Sequence, residues 1–160
     1  MATRTAYPGT QAATDVLSSA NVSKLPGGWI GYVEVTANQS TITAVVDLTS
    51  LTLTVTANTS RRLWWIGQIR AQANGATGYC QLTLTDATPT QKQQVLDDSL
   101  ANANNDKTLP AINFIETPAA GSVTRKLRFG QAGADANTWQ MSAAATTPAF
   151  LLCMDIGPSS

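Results

Sequence analysis

The residues able to do chemistry in this 160-residue chain are few, and their spacing argues against an active site. There is no histidine, so the commonest general base and the commonest metal ligand are both missing. The one adjacent acidic pair, Asp97 and Asp98, precedes an Asn-rich stretch that ends in Asp106. A calcium loop needs oxygen ligands at a fixed spacing around a glycine turn. The run Asp97-Asp98-Ser99-Leu100-Ala101-Asn102 supplies neither, so it reads as a solvated loop. Arg61 and Arg62 stand beside Trp64 and Trp65, a pairing that could stack and neutralise single-stranded nucleic acid. On a strand, however, adjacent side chains point to opposite faces, so one tryptophan belongs to the core and the other to a surface or interface. Arg125, Lys126 and Arg128 read as decoration of a strand whose apolar residues are Val123, Leu127 and Phe129. Cys80 and Cys153 fall in apolar strand patterns without metal-ligand spacing and are expected to be buried free thiols. No phosphate loop or nucleophile elbow occurs, and no histidine is present to activate a serine. No catalytic, metal or cofactor residues are therefore assigned, and the chain is read as a non-enzyme.

The elements that carry these residues are strands. In Leu51-Thr52-Leu53-Thr54-Val55-Thr56-Ala57, apolar residues alternate with threonines, the period of a strand with one buried and one wet face. Further strands are expected at 29–37, 43–48, 62–70, 78–86, 112–116, 122–129, 138–144 and 150–156. Turns are expected at 38–40 and 58–60, and Asn74-Gly75 carries a hairpin signal. Residues 91–100 fit a strand or a helix equally. Eight or nine short strands separated by turn residues indicate a single all-β antiparallel sandwich of jelly-roll type over 29–158.

Residues 1–28 differ. Punctuated by Tyr7-Pro8-Gly9 and Leu25-Pro26-Gly27-Gly28, with one short helical pattern between, they read as an N-terminal arm. Its apolar groups Tyr7, Val16, Leu17, Val22 and Leu25 are too few for a core, so they are expected to contact a partner. The arm has no signal-peptide core, which predicts synthesis in a cytoplasm, and no segment is long and apolar enough to cross a bilayer. Apolar residues make up 43% and charged residues 12%, with ten basic and ten acidic side chains. A chain without net charge has no field to draw it to nucleic acid or to an anionic membrane. So weakly charged a surface gives poor protection against self-association and suits a protein that lives in an assembly.

Several segments resemble small virion proteins of tailed phages infecting actinobacteria. They are Gly28-Trp29-Ile30-Gly31-Tyr32-Val33-Glu34-Val35-Thr36-Ala37-Asn38-Gln39, Val46-Asp47-Leu48-Thr49-Ser50-Leu51-Thr52-Leu53-Thr54-Val55 and Ser60-Arg61-Arg62. The likeness resumes at Ala120-Gly121-Ser122-Val123-Thr124-Arg125-Lys126-Leu127-Arg128 and in the closing stretch from Ala145 to Pro158. The resemblance implies a β-sandwich on the virion, either decorating the capsid or belonging to the tail, with no catalytic residues to carry over. The leading reading is a non-enzymatic homotrimer that decorates the head shell, with the major capsid protein or other virion proteins as partners. The alternatives are a minor tail or fibre protein, or a carbohydrate-binding adhesin in which Trp64 or Trp65 stacks on a host-surface glycan.

Overall fold

The structure, a computed structural model, describes residues 27–74, 78–100, 107–133 and 138–159. Among them are twelve strands: β1 (Gly28–Val35), β2 (Gln39–Ile42), β3 (Val46–Ala57), β4 (Arg61–Gln68), β5 (Arg70–Asn74), β6 (Gly78–Thr85), β7 (Gln91–Leu100), β8 (Lys107–Thr108), β9 (Ile112–Glu116), β10 (Gly121–Gln131), β11 (Thr138–Ser142) and β12 (Ala149–Pro158). The ambiguous segment 91–100 is thus a strand, paired with β6.

The strands form three antiparallel sheets in the orders β1-β12-β4-β9, β3-β10-β6-β7 and β2-β11-β5-β8. The third sheet repeats the order of the first because each of its strands is a sequence neighbour of the matching strand: β1 and β2, β12 and β11, β4 and β5, β9 and β8. Only Ile69 separates β4 from β5. Counted as chain passes, the described residues make eight, arranged 1-8-3-6 facing 2-7-4-5. That order defines an eight-stranded jelly roll, an architecture shared by viral capsid domains, lectins and cupins.

The layers meet at one apolar core. Trp65, Trp139 and Phe129 are its largest fully buried side chains, and the Phe129 and Trp139 rings meet edge to face at 6.3 Å. Two glycines allow close approaches, Gly31 of β1 to the facing sheet and Gly130 of β10 to the connection between β2 and β3. A Cβ on Gly31 would lie 2.7 Å from Val55 Cγ1, and one on Gly130 would lie 2.2 Å from the Ala44 carbonyl oxygen, so neither position has room for a side chain.

Sequence and structure part at several places. The expected break after Leu48 is a bulge inside one strand, β3. Asp47 and Thr52 lie opposite Arg128 and Lys126, so residues 48–51 stand against Leu127 alone. Ser50 takes a left-handed conformation (φ 64°), which lets Leu48 and Leu51 both turn inward. The expected turn at 38–40 instead opens β2 at Gln39, where Met141 and Trp139 supply a pairing strand. The turn expected at Asn74-Gly75 reaches outside the described residues, and the strands that flank it do not pair with each other: β5 pairs with β11 and β8, whereas β6 pairs with β10 and β7. Arg125 does not decorate the surface. It shares the inward face of β10 with Val123, Leu127 and Phe129, as a period of two requires, and is 8% exposed.

Candidate interaction face

The inward side of the first sheet is conventional, with Leu63, Trp65, Ile112, Leu151 and Cys153 buried. Its outward side is not. Strand register places Trp29, Met154, Trp64 and Ile115 in one row across all four strands. The next row is Tyr32, Leu152, Ile66 and Asn113, and the third is Glu34, Phe150 and Gln68. Trp29 is 68% exposed, Ile115 56% and Tyr32 44%; Trp64, Ile66, Phe150 and Met154 are half-buried.

A bulge between Trp29 and Gly31 builds the aromatic corner of this face. Without it, Trp29 and Tyr32 would point to opposite sides. With it, Ile30 packs inward, and the Trp29 and Tyr32 rings stack with centroids 6.2 Å apart. Phe150 continues the cluster, 6.1 Å from Tyr32. The Tyr32 hydroxyl donates to Glu34 Oε2 at 2.6 Å. That hydrogen bond, then burial and the carboxylate charge, raises the Tyr32 pKa.

The outward side of the β3-β10-β6-β7 sheet shows what an ordinary wet face looks like in the same molecule. Thr52, Thr54 and Thr56 are exposed, with the Thr54 and Thr124 hydroxyls 2.8 Å apart. Asp47 binds Lys126 Nζ at 3.0 Å and Arg128 Nε at 2.8 Å. Tyr79 and Leu96 are the exposed apolar exceptions there. An antiparallel sheet commonly packs one face and wets the other. Here one sheet follows that rule and the other is apolar on both sides, and a contiguous exposed apolar patch marks a contact surface.

The basic and aromatic run resolves into separate environments. Trp65 is fully buried, and Trp64 lies on the outward face. Arg61 is tucked against Asp155, and Arg62 is exposed. These four residues therefore form no single patch for nucleic acid, and Trp65 is removed from the glycan reading. Arg125 pairs with Glu116 between the sheets and sits 5.8 Å above the Trp65 ring. Asp97 and Asp98, expected in a solvated loop, instead belong to β7, where Asp97 lies opposite Cys80 on β6; their side chains lie outside the described residues. The arm contacts expected at Tyr7, Val16, Leu17, Val22 and Leu25 also lie outside them.

Cys80 and Cys153 are buried and unbridged, as expected. Burial, reinforced by the Glu116 and Asp155 charges and opposed by Arg125, pushes the Cys153 thiol up to about 12. Since the thiolate is the nucleophile, Cys153 should resist alkylation at pH 8 in the native protein. Mass spectrometry should find two alkylated thiols after denaturation without reductant, and a cross-linked pair would overturn the assignment.

No family model and no curated protein matches this chain. Solved structures with some likeness include the infectious bursal disease virus VP2 subviral particle: 10% identity, 84% of this chain and 38% of that one covered, TM-score 0.43. The infectious bursal disease virus Gx strain gives 13% identity, 86% and 38% coverage and a TM-score of 0.42. Dimeric latent PorU from Porphyromonas gingivalis gives 11%, 83% and 13%, with a TM-score of 0.48. The chain spans less than two fifths of the length of each. At these scores the likenesses say nothing of function, and strand order alone defines the class: an eight-stranded antiparallel jelly roll.

Proposed function

We propose that this protein is a non-enzymatic structural component of a phage virion, a jelly-roll subunit that decorates the head shell. The observation that carries this reading is the difference between the two outer faces, one threonine-rich and wet, the other apolar across four strands. Such a molecule is built to be covered on one side, and a virion lattice provides fixed neighbours. The segment resemblance to small phage virion proteins supports the same reading, with the major capsid protein or another shell protein as partner. The N-terminal arm, with Tyr7, Val16, Leu17, Val22 and Leu25, serves as the anchor to the shell, and the sandwiches pack beside one another, as in a trimer.

Purified particles test this directly. Microscopy should show the protein as a regular array on the head, and deleting residues 2–24 should leave the β fold intact while abolishing incorporation. A few copies at the tail tip would replace decoration with a tail or fibre role. Binding of the isolated protein to host-surface glycan, lost in Trp29→Ala, would favour the adhesin reading, for which the exposed stack of Trp29 on Tyr32 is the relevant feature.

A further inference from the structure

We infer that the occupant of the apolar face is the same face of a second copy, related by a two-fold axis. This rests on reading the face as a contact surface and adds the identity of its partner. Charge is what selects a copy of the chain over an unrelated protein. Outward-facing residues of the four strands include two charged side chains, Glu34 on β1 and Arg62 on β4, both exposed. Glu34 lies at the level of Phe150 and Gln68, at one end of the face. Arg62 lies beyond the Trp64 row at the other end, six residues further along the strand direction, roughly 20 Å away. Glu34 and Arg62 form no ion pair with a described residue.

An isologous contact requires that whenever one residue meets another, the reverse contact also forms. One acid and one base at opposite ends of an otherwise uncharged face satisfy that condition. Because β1 and β4 are two strands apart, a two-fold axis that passes between the Leu152 and Met154 rows and is inclined by about 25° from the perpendicular to the strands brings Glu34 of each copy to Arg62 of the other. The same operation sets the apolar residues of the two faces against each other and leaves the charges at the rim, where they set register more than affinity.

The size of the face sets the strength. Four strands about 4.8 Å apart, over about seven residues rising about 3.3 Å each, present roughly 450 Å². Two such faces bury roughly 900 Å², below the about 1,000 Å² that a stable specific interface clears and in the range of weak, transient contacts. The contact is therefore weak between isolated molecules and becomes effective when an array holds many copies at once. In a trimeric protein the same contact joins trimers in pairs.

Sedimentation of the full chain over roughly 1–500 μM, where contacts of this size dissociate, tests the inference. The expected limiting species is an even multiple of the 16.8 kDa chain. Glu34→Arg, Arg62→Glu and Ile115→Glu should each weaken its formation about tenfold or more, because each opposes like charges or places a charge in the apolar contact. All three sites are exposed, so each variant should keep the wild-type melting temperature. The Glu34→Arg/Arg62→Glu double variant should regain association. Several results would overturn the inference: a monomer or trimer indifferent to these changes, single swaps without effect, or a double swap that fails to rescue. Association seen only after residues 2–24 are deleted would also overturn it and make the arm the occupant. None of these outcomes bears on whether the protein decorates a head, which the particle experiment decides.

Discussion

Arg125→Met is expected to lower the unfolding free energy by about 3–5 kcal/mol, the usual cost of stranding one partner of a buried ion pair. Arg125 and Glu116 have side chains only 10% and 15% exposed. Arg125 also donates to the Thr124 carbonyl at 2.8 Å and covers the Trp65 ring. Removing the guanidinium leaves the Glu116 carboxylate between the sheets without its cation, close to Cys153 and the core. Removing both charges is a different experiment. In Glu116→Leu/Arg125→Met no charge remains buried, and the double variant should recover most of the loss, since buried pairs replaced by apolar groups are often neutral or better. Denaturant titration of the four proteins gives the coupling energy. Additive losses would show that the two side chains act independently.

Asp155→Ala is expected to cost a similar 3–5 kcal/mol, by removing the carboxylate of a buried ion pair and the acceptor of two backbone amides. Asp155 is 8% exposed. It receives the Arg61 Nε at 3.0 and 2.9 Å, the Gly157 amide at 2.9 Å and the Gly27 amide. Burial alone would raise its pKa. The Arg61 hydrogen bond, the Gly157 amide, the Arg61 charge and the Gly27 amide together outweigh that and hold it below the ordinary aspartate value. The sign follows from linkage: a depressed folded-state pKa stabilises fully above the unfolded value, about 3.9, and is lost as pH falls through the folded one. Wild-type melting temperature should therefore drop as pH is lowered from about 5 to about 2, and Asp155→Asn should show a shallower drop. Asp86 is also held low: burial raises its pKa, and the Thr90 amide and Lys92 lower it by more. It titrates in the same window, so the difference between the two curves is the measurement. Parallel curves would remove Asp155 from the acid response.

What could be read from the sequence was what depends on neighbours in the chain. The Leu51 to Ala57 alternation and the opposite fates of Trp64 and Trp65 need only a period of two. The apolar face was missed because its rows join residues far apart in sequence, such as Trp29, Met154, Trp64 and Ile115, through register that no local pattern encodes. One signal was present. Trp64-Trp65-Ile66 and Leu151-Leu152-Cys153-Met154 are apolar without alternation, and in an antiparallel sheet that means cover on both faces. The two bulges defeated the simple period from the other side, since each moves a residue to the face that strict alternation denies it. Arg125 was assigned by chemical type, although its spacing from Val123 and Leu127 already placed it inward.

The position of the Asp155 cluster has a mechanical consequence. β1 runs antiparallel to β12, with Gly28 opposite Asp155, so residues 28 and 158 leave the sandwich at the same end. Force applied between them loads the β1–β12 ladder one rung at a time, by unzipping, which a sheet resists far less than shear along its strands. The Arg61, Gly27 and Gly157 contacts to Asp155 sit on the first rung and act as its latch. On the head shell proposed for it, a particle under internal pressure would hold this protein poorly by pulling on Gly28 and Pro158. Load spread over the broad face of the sheet would leave that latch unstressed.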